Sequence, residues 1–337
     1  MRAVGYQETL PIDAPSALVD IDLPQPRPLG RDLLVQVHAV SVNPVDTKIR
    51  KRAKPEAGQW QVLGYDAAGI VTAVGPDASL FKPGDAVCYA GDMTRSGTNA
   101  EFHLVDERIV GHKPTTLDWA QTAALPLTAI TAWETLFDRL AVKTPVPGAS
   151  SILIIGGAGG VSSIAIQLAR QLTGLTVIAT ASRPETRSWV QDLGAHHVVD
   201  HAQPLAEQVA ALGVGEPGFV FSTTNTGQHL EEIARLIAPQ GRFALIDDPA
   251  ALDIIPFKRK SVSVHWELMF TRPMFHTADM DAQGKLLNEV ARLVDAGTLR
   301  TTLGENFGPI NAANLKRAHA LIESGRARGK IVLEGFK

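Results

Sequence analysis

Hydrophobic and polar positions change rhythm twice along this chain. Leu33 to Val42 (LLVQVHAVSV) partly alternates apolar and polar side chains, the period of a half-buried strand. Gly64 to Val74 follows as a second strand-like run, and Lys82-Pro83-Gly84-Asp85 marks a turn into the apolar run Ala86–Ala90. The basic stretch Lys48–Lys54, with five Lys/Arg in seven residues, reads as a solvated helix end and loop. Leu127 to Leu140 holds no Gly or Pro and predicts a helix.

From Ser151 strand and helix alternate: strands at Ile152–Ile155, Val177–Ala181, His197–Val199, Phe219–Ser222, Phe243–Ile246 and Val262–His265, and helices at Val161–Leu172, Glu185–Leu193 and near Gln228–Ile237. Such β-α units specify a mostly parallel sheet with helices on both faces. After Trp266 the rhythm breaks again, giving helices at Ala282–Ala296 and Ala312–Glu323 and a closing strand at Lys330–Leu333. The prediction is a nucleotide-binding-type module over residues 127–266, inserted in a discontinuous domain of residues 1–126 and 267–337.

The sharpest local signal is Ile152-Leu153-Ile154-Ile155-Gly156-Gly157-Ala158-Gly159-Gly160-Val161-Ser162-Ser163. A buried apolar strand runs into a glycine turn and then a helix whose apolar residues Val161, Ile164, Ala165, Leu168, Ala169 and Leu172 share one face. Free N–H groups and the dipole at such a helix start favour a pyrophosphate. Strand before and helix after lift this above a bare G-x-G-x-x-G match. In that register Ser162 stands where the third glycine belongs, a position that governs helix–strand packing and not phosphate contact. The next strand, Thr176 to Ala181, ends in Ser182 and Arg183 with no acid to grip a ribose 2′-hydroxyl. A hydroxyl with a guanidinium suits a 2′-phosphate, which favours NADP(H) over NAD; the alternative is that Arg183 is a surface charge.

Composition narrows the partners. The chain has 337 residues, enough for about two domains, with 45% hydrophobic and 20% charged residues. Its formal net charge of -3 gives no electrostatic reason to expect nucleic acid or a membrane surface. A single cysteine, Cys88, excludes an intramolecular disulfide and any site built from several thiolates. Met1–Leu10 lacks the apolar h-region of a secretory signal, and no run approaches about 18 apolar residues, so a cytoplasmic protein is expected.

Several stretches together carry a resemblance: Ser41-Val42-Asn43-Pro44-Val45-Asp46, Gly64-Tyr65-Asp66-Ala67-Ala68-Gly69, Lys82-Pro83-Gly84-Asp85, Ala124 to Trp133, the glycine turn, and Gly329-Lys330-Ile331-Val332-Leu333. In this order they resemble the medium-chain dehydrogenase/reductase superfamily over nearly the whole chain. The likeness is to its zinc-free quinone oxidoreductase branch, and most of all to members labelled zinc-type alcohol dehydrogenase-like. The resemblance implies an α/β fold: a Rossmann doubly wound parallel sheet plus a GroES-like, mostly β catalytic domain. It also suggests a homodimer.

Zinc alcohol dehydrogenases of that superfamily place a Cys and a Gly-His-Glu triplet in the segments that here carry Asn43, Asp46, Tyr65 and Asp66. No metal is therefore expected. His196, His197 and His201 read as surface or adenosine-side residues.

The resemblance places Asn43 and Asp46 beside the nicotinamide, Asn43 as a donor to a substrate oxygen and Asp46 orienting its neighbours. Tyr65 takes the missing zinc histidine's position and is the candidate donor to a developing oxyanion, with a core tyrosine as the other reading. Cofactor contacts are implied at Asn43, Thr128, Gly157, Gly159, Gly160, Val161, Ser182, Arg183, Thr223, Asn225, Ile246 and Lys330. His265 to Phe270 supplies aromatics either for the acceptor cleft or for interdomain core. The expectation is NADPH-dependent hydride transfer to a quinone or enone, whose conjugation spreads the arriving charge without a Lewis acid. The alternatives are a zinc-dependent alcohol dehydrogenase and a non-catalytic nucleotide-binding regulatory or RNA-interacting protein.

Overall fold

A computed structural model describes residues 1–336, and the chain divides into two compact units, residues 1–130 with 270–337, and residues 131–269. The first unit is mostly β. Its central strand, Asp32–Val42, has a burial pattern that follows the alternation in the sequence only in part, because nearly all of it is covered. On one side it pairs antiparallel with Ala67–Val74, which continues to Ala86–Tyr89 and Gly111–His112. On the other side its two halves take different partners: Phe102–Asp106 pairs with residues 32–36, and Lys330–Glu334 with residues 39–42. Leu303–Asn306 joins parallel to Lys330–Glu334 at the edge.

Register fixes what meets at the end of the central strand. Val40 stands opposite Ala67, and Val42 opposite Ile331. One step further along each strand brings Ser41 beside Asp66 and Asn43 beside Lys330. A slip of one residue would reverse every side chain on a strand, so the buried apolar faces of these strands also hold the polar residues in place.

The chain leaves this sheet into the helix Pro44–Arg52, with Pro44 at its first position, where the missing N–H costs nothing. Asp46 at the third position accepts from the Asn43 backbone N–H at 2.7 Å, and basic residues Arg50, Lys51 and Arg52 suit the C-terminal dipole. The expectation of a solvated basic stretch holds for the exposed Lys51, Arg52 and Lys54 but not for Arg50. Arg50 is fully buried, pairs with Glu323 at 2.5 Å and donates to the Leu10 carbonyl.

The second unit is a six-stranded sheet in which every pairing is parallel: Ser151–Ile155, Thr176–Thr180, His197–Val199, Phe219–Ser222, Arg242–Leu245 and Ser263–Trp266. In space the third, second, first, fourth, fifth and sixth strands lie side by side, the doubly wound dinucleotide-binding order. Leu153, Ile155, Val220, Phe243 and Leu245 face one apolar cluster with Leu205, Val209, Ile233, Leu236 and Phe257. The alternate strand residues Ile152, Ile154, Phe219, Phe221 and Ala244 are equally buried, as expected where both faces are covered.

The predicted helix over 127–140 is α-helical only across Pro126–Trp133 and continues as a π turn over Glu134–Arg139. There the Leu140 N–H reaches the Thr135 carbonyl at 2.8 Å, while the Thr135 hydroxyl donates back to the Thr131 carbonyl at 2.7 Å. Among the described residues, no helix is long and apolar enough to cross a membrane.

Candidate active site

In the first unit the polar residues at the end of the central strand converge on Asp66, which is fully buried. Its Oδ2 accepts from the Ser41 hydroxyl at 2.6 Å, the Asn43 amide at 2.8 Å and the Lys330 ammonium at 3.0 Å. Its Oδ1 accepts the Leu127 backbone N–H at 2.7 Å. Four donors, one of them a cation, are what a carboxylate out of water requires. Lys330, itself 3% exposed, also donates to Asn43 Oδ1 and, at 3.3 Å, to the Val42 carbonyl. Asn43 and Lys330, both implied as cofactor contacts, thus turn their polar atoms to Asp66 and to each other. The motifs alone do not mark Ser41 and Asp66 as site residues; the signal for them is the register that aligns Ser41-Val42-Asn43 with Tyr65-Asp66.

A second carboxyl closes the loop below. Asp46 is buried, and its Oδ1 accepts from the Gly64 backbone N–H at 2.9 Å while its Oδ2 holds Asn43. The chain needs glycine at 64: φ is +113°, and a Cβ there would stand 2.4 Å from Thr98 Oγ1 and 2.8 Å from the Asn99 nitrogen. Asp46 and Gly64 together set the backbone that presents Tyr65.

Burial pushes the Asp46 carboxyl up to about 7, outweighing the two backbone N–H groups and Lys330, with Asp66 adding to the rise. A folded value above the ordinary 3.8 favours folding most at low pH, and this contribution is lost as pH rises from 3.8 to about 7. The stability difference between the native chain and Asp46→Asn is therefore expected to shrink across that interval in urea titrations at stepped pH; a flat difference would show that Asp46 does not titrate there.

Tyr65 is 1% exposed, and its ring meets Phe270 edge-on with centroids 5.3 Å apart. Its hydroxyl oxygen is buried without a hydrogen-bond partner. The other two tyrosines are satisfied: Tyr6 donates to the Ala53 carbonyl at 2.7 Å, and Tyr89 donates to His103 Nδ1 at 3.1 Å, since His103 Nε2 faces the Ser96 carbonyl. Burial first, and the Asp46 charge second, hold the Tyr65 phenol above its ordinary range, so it is a protonated donor through neutral pH. Thr128 spends its hydroxyl on the Leu125 carbonyl at 3.0 Å.

In the second unit the glycine turn lies between the first and fourth strands, at the switch point where such sheets take ligands. Gly156 has φ +81°, and a Cβ there would press on Thr223 Oγ1 at 2.6 Å; one on Gly157 would stand 2.8 Å from the Thr180 carbonyl. Gly159 caps the helix Gly160–Leu172 without a side chain, and a Cβ on it would meet only the Gly156 oxygen at 3.4 Å. The first-turn N–H groups therefore face a cradle free of side chains, which fits a pyrophosphate.

Ser162 is fully buried, with its hydroxyl 3.0 Å from Thr223 Oγ1. Thr223 donates to the Ile155 carbonyl at 2.8 Å, so Ser162 is the donor between them, and the hydroxyl in place of the third glycine ties helix to strand. Asn225 begins the helix Thr226–Leu236 with φ +52°, and Ile246 donates to the Ser222 carbonyl at 3.3 Å. Ser182 is exposed, and Arg183 Nε lies 3.2 Å from Glu185 Oε1. The histidines diverge: His196 Nδ1 accepts the Val177 N–H at 2.9 Å, and His201 Nδ1 lies 3.2 Å from Thr180 Oγ1.

Comparison with known proteins gives consistent matches. Residues 30–123 match the family model described as alcohol dehydrogenase GroES-like domain, and residues 193–333 the one described as zinc-binding dehydrogenase. A zinc-type alcohol dehydrogenase-like protein of Staphylococcus aureus (strain COL) is 38% identical over 99% of both chains. A Rhizobium etli CFN 42 protein, solved as a candidate zinc-dependent alcohol dehydrogenase, is 69% identical over 100% of this chain and 98% of its own, with a TM-score of 0.98. The quinone oxidoreductase from Coxiella burnetii is 26% identical over 99% of each chain, with a TM-score of 0.81.

The family description raises zinc, and the donors can be tested against it. Zinc takes thiolate, imidazole or carboxylate ligands with free lone pairs. Here Asn43 and Tyr65 supply an amide and a phenol, both Asp46 oxygens hold backbone N–H groups, and the Lys330 ammonium already sits against Asp66. These residues do not fit a zinc ion. Among the described residues, no group of three or more His, Cys, Asp or Glu side chains is placed to hold a metal.

Proposed function

Because this chain belongs to the medium-chain dehydrogenase/reductase superfamily of oxidoreductases, we propose that it is an NADPH-dependent, zinc-independent reductase acting on a quinone or an α,β-unsaturated carbonyl. The observation that carries the reading is the Tyr65 hydroxyl, buried without a partner, while Asn43, Lys330 and Asp66 are spent on one another. A bound reduced nicotinamide supplies the hydride. Gly157, Gly159, Gly160 and Val161 offer backbone to its pyrophosphate, and Ser182 and Arg183 meet the 2′-phosphate. Thr223 and Asn225 follow the fourth strand, and Ile246 follows the fifth.

In the first unit Asn43 and Asp46 act as positioning residues, because they bond the Tyr65 carbonyl and the Gly64 N–H, and Lys330 acts through Asn43, whose amide oxygen it holds. Tyr65 gives its hydroxyl hydrogen bond to the acceptor oxygen as negative charge gathers there, and water supplies the final proton. An electron-poor conjugated acceptor needs no stronger electrophile, since its own π system spreads the charge.

Consumption of NADPH and NADH against quinones, enones and simple aldehydes, with and without a chelator, tests the reading. The expected result is NADPH oxidation with quinones or enones that chelation leaves unchanged. Chelator-sensitive aldehyde reduction with stoichiometric zinc would overturn it in favour of an alcohol dehydrogenase, and cofactor binding without turnover across the panel would favour a non-catalytic nucleotide-binding protein.

A further inference from the structure

The second strand ends where the phosphate turn begins to be held. The Gly157 N–H donates to the Thr180 carbonyl at 3.0 Å and the Gly156 N–H to the Thr180 hydroxyl at 3.0 Å. Arg183 follows three residues later, and its backbone is tied down on both sides: its N–H donates to Thr186 Oγ1 at 3.3 Å, and its carbonyl accepts the Thr186 hydroxyl at 2.9 Å. Two arginines stand here, with different employment. Arg187 donates to the Ala181 carbonyl at 3.2 Å and the Val198 carbonyl at 3.1 Å, bracing the second and third strands. Arg183 instead places Nε 3.2 Å from Glu185 Oε1, in a pair whose side chains are 41% and 54% exposed.

We propose that Glu185 is a specificity-determining residue that competes with the 2′-phosphate of NADPH for the Arg183 guanidinium, so that the chain favours NADPH less than its arginine alone would dictate. This rests on the NADPH reading above. The chemistry is an exchange of one anion for another on a single planar cation. Carboxylate and phosphate monoester both take the guanidinium edge, and both are acceptors only, so they cannot share it without repulsion. NADH carries a neutral 2′-hydroxyl at that place and has no need of Arg183, so the competition leaves it untouched. An exposed pair of this kind is weak and screened by salt. The carboxylate therefore trims the preference for the phosphorylated coenzyme without abolishing it. No acid stands at Ser182 or Arg183 itself, so Glu185 is the nearest negative charge along the chain in this segment.

Equilibrium binding of NADPH, NADH and 2′,5′-ADP, read by fluorescence or calorimetric titration, tests this without any turnover. Glu185→Gln is expected to tighten NADPH and 2′,5′-ADP about 2–5-fold and to leave NADH unchanged, with the gain shrinking at high salt. Arg183→Ala is expected to weaken NADPH about 10–100-fold, and adding Glu185→Gln to it should give no comparable gain. An unchanged Glu185→Gln affinity beside a normal Arg183→Ala loss would overturn the competition alone. The same gain with and without Arg183 would also overturn it, because the carboxylate would then act by simple repulsion. An Arg183→Ala variant that keeps the native ratio of NADPH to NADH affinity would overturn the NADPH reading itself, and the competition with it.

Discussion

Replacing Lys330 with methionine is expected to cost the first unit about 3–5 kcal/mol of stability, the range for removing one partner of a buried ion pair. Methionine fills much of the lysine's volume, so the loss measures charge and hydrogen bonding more than packing. Asp66 would keep Ser41, Asn43 and the Leu127 N–H but lose the Lys330 ammonium, and Asn43 Oδ1 would lose it too. Both groups are too deep for water to take over. Urea unfolding followed by hydrogen exchange of the Ser41–Thr47 and Gly64–Gly69 amides reads this unit separately from the other. A double-mutant cycle with Asp66→Asn should give a coupling of about 1–3 kcal/mol. A Lys330→Met cost below about 1 kcal/mol, or strict additivity with Asp66→Asn, would show that the ammonium does not neutralise Asp66.

The strands read from the sequence were legible in two ways: Asp32–Val42 by a partial alternation, and the six parallel strands as short runs alternating with helices, since Ile152, Leu153, Ile154 and Ile155 are apolar on both faces of a covered sheet. Of the helix Pro44–Arg52 only the basic end was legible, for a physical reason: its buried residues are Asp46, Thr47 and Arg50, so no apolar stripe marks its start. What specifies it is local chemistry at its ends, namely Pro44 at the first turn, Asp46 on the Asn43 N–H, and the basic last turn. The π turn at Glu134–Arg139 carries no pattern that distinguishes it from continued α-helix, and a shift from i+4 to i+5 bonding leaves the composition unchanged.

The candidate site was legible as separate motifs but not as a network. Asn43, Asp46, Tyr65 and Lys330 are recognisable by their motifs, yet the motifs do not say what each polar atom bonds. That depends on register between strands almost 290 residues apart in the chain, as the separation of 287 between Asn43 and Lys330 shows. Asn43, read from the sequence as a donor to substrate, has its amide on Asp66 and its carbonyl oxygen on Lys330. The glycine turn was the most legible feature, because strand, turn and helix are contiguous and each glycine answers a contact: Gly156 to Thr223, Gly157 to Thr180. The pairing of Ser162 with Thr223 joins positions 61 apart, and nothing local announces it.

Tyr65→Phe is expected to lower kcat by about 10²–10³-fold, the loss found when one preorganised oxyanion donor is removed, while leaving the fold at least as stable as before. The two halves of this prediction come from the same atom. A buried hydroxyl without a partner has given up its water and gained nothing in return, a cost of about 1–3 kcal/mol by protein mutational data. Deleting it should therefore raise stability or leave it unchanged, in contrast to Tyr6→Phe, which would strip a donor from the Ala53 carbonyl. The edge-on contact with Phe270 survives in a phenylalanine of the same shape, so coenzyme affinity and the far-field fold should hold. The loss should fall on kcat with little change in KM, because the hydrogen bond strengthens only as charge reaches the acceptor oxygen. It should be deepest for enones and shallower for quinones, whose second carbonyl already stabilises the arriving charge. Steady-state kinetics on one quinone and one enone, beside urea unfolding of the same preparations, measures both halves together. Undiminished turnover would remove Tyr65 from the chemistry, and a stability loss above about 1 kcal/mol would mean that its hydroxyl is held by a partner and belongs to the core.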